Sequence, residues 1–288
     1  MKEKLGWLKD YADFRDYSPE HIGIKNTLKL TKGRGPLGSD PIPSKIDLSE
    51  WCSPVEDQYN LGSCTANAGV GLLEYFEQRT ADTYLNASRL FLYKTTRNLM
   101  QLTGDTGTYL RTTMKSMVLF GIPPEKYWPY DIQRFDQEPT PFCYSFGQSY
   151  KAIEYFRLDP FHLTAKNTLD QIRKFISKGF PSMFGFSVYQ SITQAKINGG
   201  EIPYPSAHEA QEGGHAVVAV GYDDSKKIQN EIDHKTTTGA FKIRNSWGED
   251  WGDKGYGWLP YDYVLKNGLA TDWWTLLKAE YIDTGIFD

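Results

Sequence analysis

Four side chains at separated positions could together perform acyl chemistry. Cys64 stands in LGSCTANA, where a loop gives way to a helical pattern. A thiol in the first turn of a helix faces the positive end of the backbone dipole and unpaired N–H groups. Both favour the thiolate, which is the nucleophilic form. Gly62, Ser63 and Ala66 leave room for a substrate backbone beside it. A lone buried cysteine is usually inert packing, so its company decides. Gln58 lies six residues earlier, and its side-chain amide can donate to an oxyanion, the Cys64 N–H being the second donor. Such donors are each worth about 2.7–4 kcal/mol in acyl transfer. His215, in EGGHAVVAVGY, follows two glycines at the mouth of a strand-like run, where an imidazole can serve as base. Among the other histidines only His208, in the polar loop SAHEAQ, rivals it. Asn245 opens NSWGEDWG. An Asn oxygen accepting from His Nδ1–H would fix the tautomer and ring orientation, with Trp247 and Trp251 excluding water.

Gln58 with Gly-Ser-Cys64, Gly-Gly-His215-Ala, and Asn245-Ser-Trp-Gly followed by Trp251-Gly and Gly-Tyr-Gly, in this order, resemble the papain/cathepsin family over about Pro43 to Asp283. The resemblance implies a cysteine peptidase that forms a thioacyl-enzyme on Cys64, with His215 as acid and base, Asn245 orienting it and Gln58 at the oxyanion. It implies an α+β, papain-like two-lobed fold: a helical lobe, a β-barrel-like lobe, and the active site in the cleft between them. Thr-Gly107-Thr-Tyr109 is similar to the family's glycine segment, which implies that Gly107 meets substrate backbone and Tyr109 the second residue before the cut. Gly214 and Trp247 would also lie beside substrate. His215 follows Cys64 by 151 residues and Asn245 by 181. The second spacing is long because a polar insert, about Asp223 to Thr238, separates the two motifs as a hairpin or loop.

The sequence also departs from the family. Leu61 and Thr65 replace the usual Cys and Trp beside the nucleophile, and no long propeptide signature is recognisable. The Gly-Gly-His-Ala stretch is similar to cathepsin B, but no His-rich insert accompanies it, so an endopeptidase is expected. An acyl transferase or amidase with the same triad is the alternative within enzymes. A non-catalytic binding domain on the same fold is the alternative outside them.

Positioning these groups requires particular elements. From Cys64 onward, Ala68, Leu72, Tyr75 and Phe76 recur at helical spacing. SRLFLYKTTRNL suits a second helix. TYLRTTMKSMVLFG suits a third, with Leu110, Met114, Met117 and Val118 on one face and a stop at Gly121, Pro123 and Pro124. Beyond about residue 150 the pattern turns to strands: Tyr150 to Leu158, Met183 to Tyr189, His215 to Tyr222, Ala240 to Arg244 and Gly255 to Leu259. One helix, TLDQIRKFISKG, interrupts them, with Thr168 and Gln171 spaced as a capping box. The organisation read is an extension over 1–45, with a shielding or pro-like role in view, and a peptidase domain over 46–288. That domain divides into a helical lobe of about 46–148 and a β-rich lobe of about 149–288. The stretch Thr31 to Ser44, with three Gly and three Pro, reads as a linker, and the basic run Lys25 to Arg34 as a solvated part of it.

Composition narrows the rest. A net charge of −4 over 288 residues gives no electrostatic footprint for nucleic acid. No apolar run approaches a membrane span. Three cysteines without a close pair argue against a zinc site, and no metal or cofactor is expected. A Cys52–Cys143 bridge is left open. Met1 to Asp13 lacks the apolar core of a signal peptide, so the cytoplasm is the expected location, with export by another route left open. The expected partner is a peptide or protein substrate, and the sequence is silent on oligomeric state.

Overall fold

The α+β architecture expected from the sequence is the one observed. The structure is a computed structural model and describes residues 4–29, 41–81, 85–152 and 154–277. After an extended N-terminal segment come α1 (Ile22–Lys29), β1 (Lys45–Asp47), α2 (Cys64–Ala81), α3 (Arg89–Leu99), α4 (Leu110–Leu119) and α5 (Pro141–Gly147). The β-rich half follows with β2 (Glu154–Arg157), α6 (Ala165–Ser177), β3 (Ser182–Tyr189), β4 (Gln211–Gln229) and β5 (Thr236–Arg244). It ends with β6 (Tyr256–Pro260), α7 (Asp262–Leu265) and β7 (Ala270–Leu277).

The anticipated apolar face of α2 is fully buried at Leu72, Tyr75 and Phe76. So are Val70 and Leu73 on its other sides, as expected of a helix at the centre of a fold. It packs against α3 and α4 on one side and β4 on the other. Ser88 caps α3, its hydroxyl accepting from the Phe91 N–H at 3.1 Å. In α4, Leu110, Met114 and Met117 turn inward, whereas Val118 is only partly buried.

The strands form one antiparallel sheet in the order β2-β7-β3-β4-β5-β6, with β1 also paired to β4. β1 thus ties the chain just ahead of the helical half to the β-rich half. The polar insert is a hairpin: β4 and β5 continue past the core, pairing Lys227 with Thr238 and Gln229 with Thr236.

Three expectations need correction. The capping residue of α6 is Thr164, which accepts from the Asn167 N–H at 3.2 Å. Thr168 is inside the helix, and Gln171 donates to the Leu158 carbonyl at 2.7 Å. The first strand is shorter than Tyr150 to Leu158, covering Glu154–Arg157. Lys25 to Lys29 is helical, because Ile24 and Leu28, four apart, anchor α1 in the core at 0% exposure. Residues 31–40 of the expected linker lie outside the described residues. Cys52, Cys64 and Cys143 are all free thiols, so the open question of a Cys52–Cys143 bridge closes in the negative. No helix of the described residues is long and apolar enough to cross a membrane.

Candidate active site

The loop before α2 is drawn tight by Gly62, whose N–H donates to Asp105 Oδ1 at 3.0 Å. Cys64 begins the helix there and is buried. Its thiol feels the backbone N–H groups of Ala216, Gly6 and Thr65, which favour thiolate, but burial dominates and pushes it up to about 11. Ala216 directly follows His215 on β4, so helix and strand converge at the thiol.

His215 is equally buried. Its Nε2 pairs with Asn245 Oδ1 at 2.7 Å. The expected partnership is therefore present, through Nε2 rather than Nδ1. Among the described residues Nδ1 has no hydrogen-bond partner, and the thiol and imidazole are not hydrogen-bonded to one another. Asn245 follows β5 and is held by its own N–H to the Gly255 carbonyl at 3.0 Å. Trp247 stacks on the imidazole at 4.5 Å between centroids, and Phe186 meets it edge-on at 5.8 Å. This apolar wrapping lowers His215 to about 4, with the Asn245 bond opposing. In the covered cleft burial thus favours the uncharged form of both groups.

The reason is visible in the cleft. The Gln58 amide Nε2 donates to the carbonyls of Lys4 at 2.8 Å and Leu61 at 2.9 Å. The N-terminal segment runs on from Lys4 across Cys64, whose thiol meets the Gly6 backbone. Thr108 N–H donates to the Gly6 carbonyl at 2.9 Å, Trp7 N–H to the Gly214 carbonyl at 3.1 Å, and Leu8 N–H to the Thr108 carbonyl at 3.1 Å. Gly107, at φ +72°, allows this approach, since a Cβ there would stand 2.3 Å from the Gly6 oxygen. Lys4 is also paired with Asp105 at 2.6 Å.

Of the residues expected beside substrate, Gly107 and Gly214 line this strip of backbone. Tyr109 stands at the N-terminus of α4 and is 37% exposed. Trp247 covers His215. Sequence reasoning missed Trp7, Gly185 and Asp272: the Trp7 indole lies against Gly185 and donates to Asp272 Oδ2 at 3.1 Å. The isolated glycine inside MFGFSV was the one available signal for this contact. Among the described residues no group of three or more His, Cys, Asp or Glu could hold a metal ion.

Comparison with known proteins agrees with this geometry. The family described as papain family cysteine protease matches residues 42–273. A peptidase C1-like protein of Acanthamoeba polyphaga mimivirus is 32% identical over 97% of this chain and 88% of its own. Cathepsin K of Gallus gallus is 25% identical over 82% of this chain and 64% of its own length. Among solved structures, xylellain, a cysteine protease from Xylella fastidiosa, superposes with a TM-score of 0.72 at 33% identity, covering 96% of this chain and 97% of that one. With a family match over residues 42–273 and a relative 32% identical over nearly its whole length, the chain belongs to the papain family of cysteine proteases.

Proposed function

We propose that the protein is an endopeptidase in which Cys64 attacks the peptide carbonyl, His215 moves the proton, Asn245 orients His215, and Gln58 with the Cys64 N–H holds the oxyanion. The observation that carries this reading is the bond from Gln58 Nε2 to a peptide carbonyl, that of Lys4, lying over the nucleophile. With the cleft open to substrate, the thiol proton passes to His215 Nδ1, which faces no other partner. The thiolate adds to the carbonyl carbon, and the negative charge collects on an oxygen held by Gln58. The imidazolium then protonates the leaving amine as the C–N bond breaks. Water, deprotonated by the neutral imidazole, attacks the thioester, and thiolate leaves. A cleft that accommodates six residues of chain, Lys4 to Lys9, suits cleavage within a polypeptide better than removal of a terminal residue.

The second part of the reading is that the N-terminal segment shields the site. Its carbonyl occupies the oxyanion donor and its backbone the substrate strip. A peptidyl electrophile should label Cys64 at least about tenfold faster in the parent chain than in His215→Ala. Equal rates would sink the assignment of His215 as base. Peptide turnover with and without an added amine separates hydrolysis from acyl transfer: a product carrying the amine as the main species would favour the transferase.

A further inference from the structure

The turn that leads to the nucleophile is strained. Tyr59, the residue after Gln58, stands at φ +53°. That conformation costs energy for a residue with a side chain and persists only where neighbours enforce it. Both oxyanion donors depend on this turn, since Gln58 precedes it and Cys64 follows it. From the β-rich half, Ser246 holds Gln58 twice. Its carbonyl accepts the Gln58 N–H at 2.9 Å, and its hydroxyl donates to the Gln58 side chain. From the helical half the hold comes from Tyr130.

The Tyr130 hydroxyl donates to the Gln58 carbonyl at 3.0 Å, which also accepts from the Leu61 N–H at 3.3 Å. With its one proton committed there, the phenol oxygen accepts from Ser63 Oγ at 2.6 Å, and Ser63 directly precedes Cys64. Asn67, one turn into α2, donates in its turn to Ser63 Oγ at 3.1 Å and to the Ser63 carbonyl at 3.0 Å. One phenol therefore bridges the two ends of the strained turn. Burial pushes it up to about 12, so it keeps the donor proton at any lower pH. The ring itself is seated on Arg89 of α3, whose guanidinium lies 3.9 Å from the ring centroid. Arg89 also donates to the Asp57 carbonyl at 3.1 Å and pairs with Glu56 at 3.0 Å and Glu125 at 3.2 Å. The stacked cation and phenol thus grip Glu56, Asp57 and Gln58 in succession.

We propose that Tyr130 is a positioning residue of the oxyanion site: through the Gln58 carbonyl and the Ser63 hydroxyl it fixes the Gln58 amide relative to the Cys64 N–H. The inference rests on the peptidase reading above and adds a residue to it. Without the hydroxyl, the Gln58 carbonyl keeps only the longer bond from Leu61, which lies inside the same turn, and Ser63 Oγ loses its acceptor. The turn then relaxes and carries the amide away from the place where charge develops. Oxyanion donors act over about 2.7–3.1 Å, and a misplacement of about 1 Å costs on the order of a hundredfold in rate. The loss falls on the transition state, so it appears in kcat and spares KM.

The test uses the full chain and a fluorogenic peptide at saturation, where substrate has displaced the N-terminal segment. Turnover is referred to Cys64 sites titrated with a peptidyl electrophile, so that unfolded chain is not counted. Tyr130→Phe keeps the ring on Arg89 and removes only the hydroxyl. It should lower kcat about tenfold or more, with KM within about threefold of the parent. In a Gln58→Ala chain the same substitution should cost about threefold or less, because the amide it positions is gone. A tyrosine that only supports the fold would cost the same factor in both backgrounds, so equal factors overturn the proposal. A Tyr130→Phe chain with parent kcat overturns it too, as does a loss confined to KM. Ser63→Ala cuts the link at its other end and should lower kcat about threefold or more. Should Tyr130→Phe fail to fold, parent kcat in Ser63→Ala overturns the proposal. Failure of the parent chain both to turn over any peptide and to label at Cys64 overturns the peptidase reading itself.

Discussion

The Gln58 side chain is held so that only one orientation of its amide works. Ser246 Oγ donates to Oε1 at 2.6 Å, which leaves Nε2 to face the Leu61 and Lys4 carbonyls. A donor fixed before substrate arrives needs no reorganisation as charge develops, which is where such groups gain most of their effect. Replacing Gln58 with Ala should therefore lower kcat about a hundredfold while KM changes by less than about threefold; a rise in KM with kcat unchanged would mean that Gln58 binds substrate and does not stabilise the oxyanion. Gln58, Cys64, His215 and Asn245 were legible because each is in a short local motif whose residue types are set by the chemistry. Which imidazole nitrogen meets Asn245 was not, because it depends on how β4 and the turn after β5 face each other. Asp272 was hidden for a similar reason. Within ATDWWTLL it reads as one polar residue in an aromatic strand, and its direction comes from a bulge that only the partner strand reveals.

At the scale of elements, the segment over the cleft is extended chain that hydrogen-bonds to the peptidase's own backbone at Thr108 and Gly214. Gly6 is the tightest point: a Cβ there would stand 2.0 Å from the Gly62 carbonyl oxygen. That neighbour is backbone in the loop leading to α2 and has little freedom to yield. Gly6→Val should consequently lift the segment without altering any residue assigned to catalysis. The expected result is a rise in kcat/KM of about tenfold or more for every peptide tested, in the same proportion. An unchanged rate in a folded Gly6→Val chain would mean that the segment does not limit access. Of the helices in the first half, α2, α3 and α4 were legible because their apolar residues keep a 3.6 period over ten or more positions. α1 was not: only Ile24 and Leu28 mark its face, among lysines that look solvated. The segment Lys4 to Lys9 has no periodicity to read, since its fit comes from glycines on other elements, Gly62, Gly107, Gly185 and Gly214.

For the whole molecule, closing the cleft ties the segment's position to protonation. His215 is wrapped by Trp247 and Phe186, and burial there outweighs the Asn245 bond that favours a positive imidazole. An imidazole in water ionises near 6.5; in the covered site His215 does so only at about 4. Between those values the covered form binds fewer protons than any form in which water reaches the ring. Its advantage is full above about pH 6.5 and is lost as pH falls toward 4. The limit of the effect is about 3 kcal/mol, some two orders of magnitude in the open fraction. The part of the burial owed to Trp247 and Phe186 persists after the segment leaves and reduces it. Lowering the pH from 7 to 5 should thus raise the kcat/KM of the parent chain relative to Gly6→Val, the ratio climbing toward one. Taking that ratio removes the pH dependence of the chemical step, which the two chains share. A ratio that stays flat across this range would mean that the segment is released without His215 taking up a proton. The cover would then be held by contacts outside the catalytic pair, such as the Arg111 pairing with Asp16 at 2.7 Å.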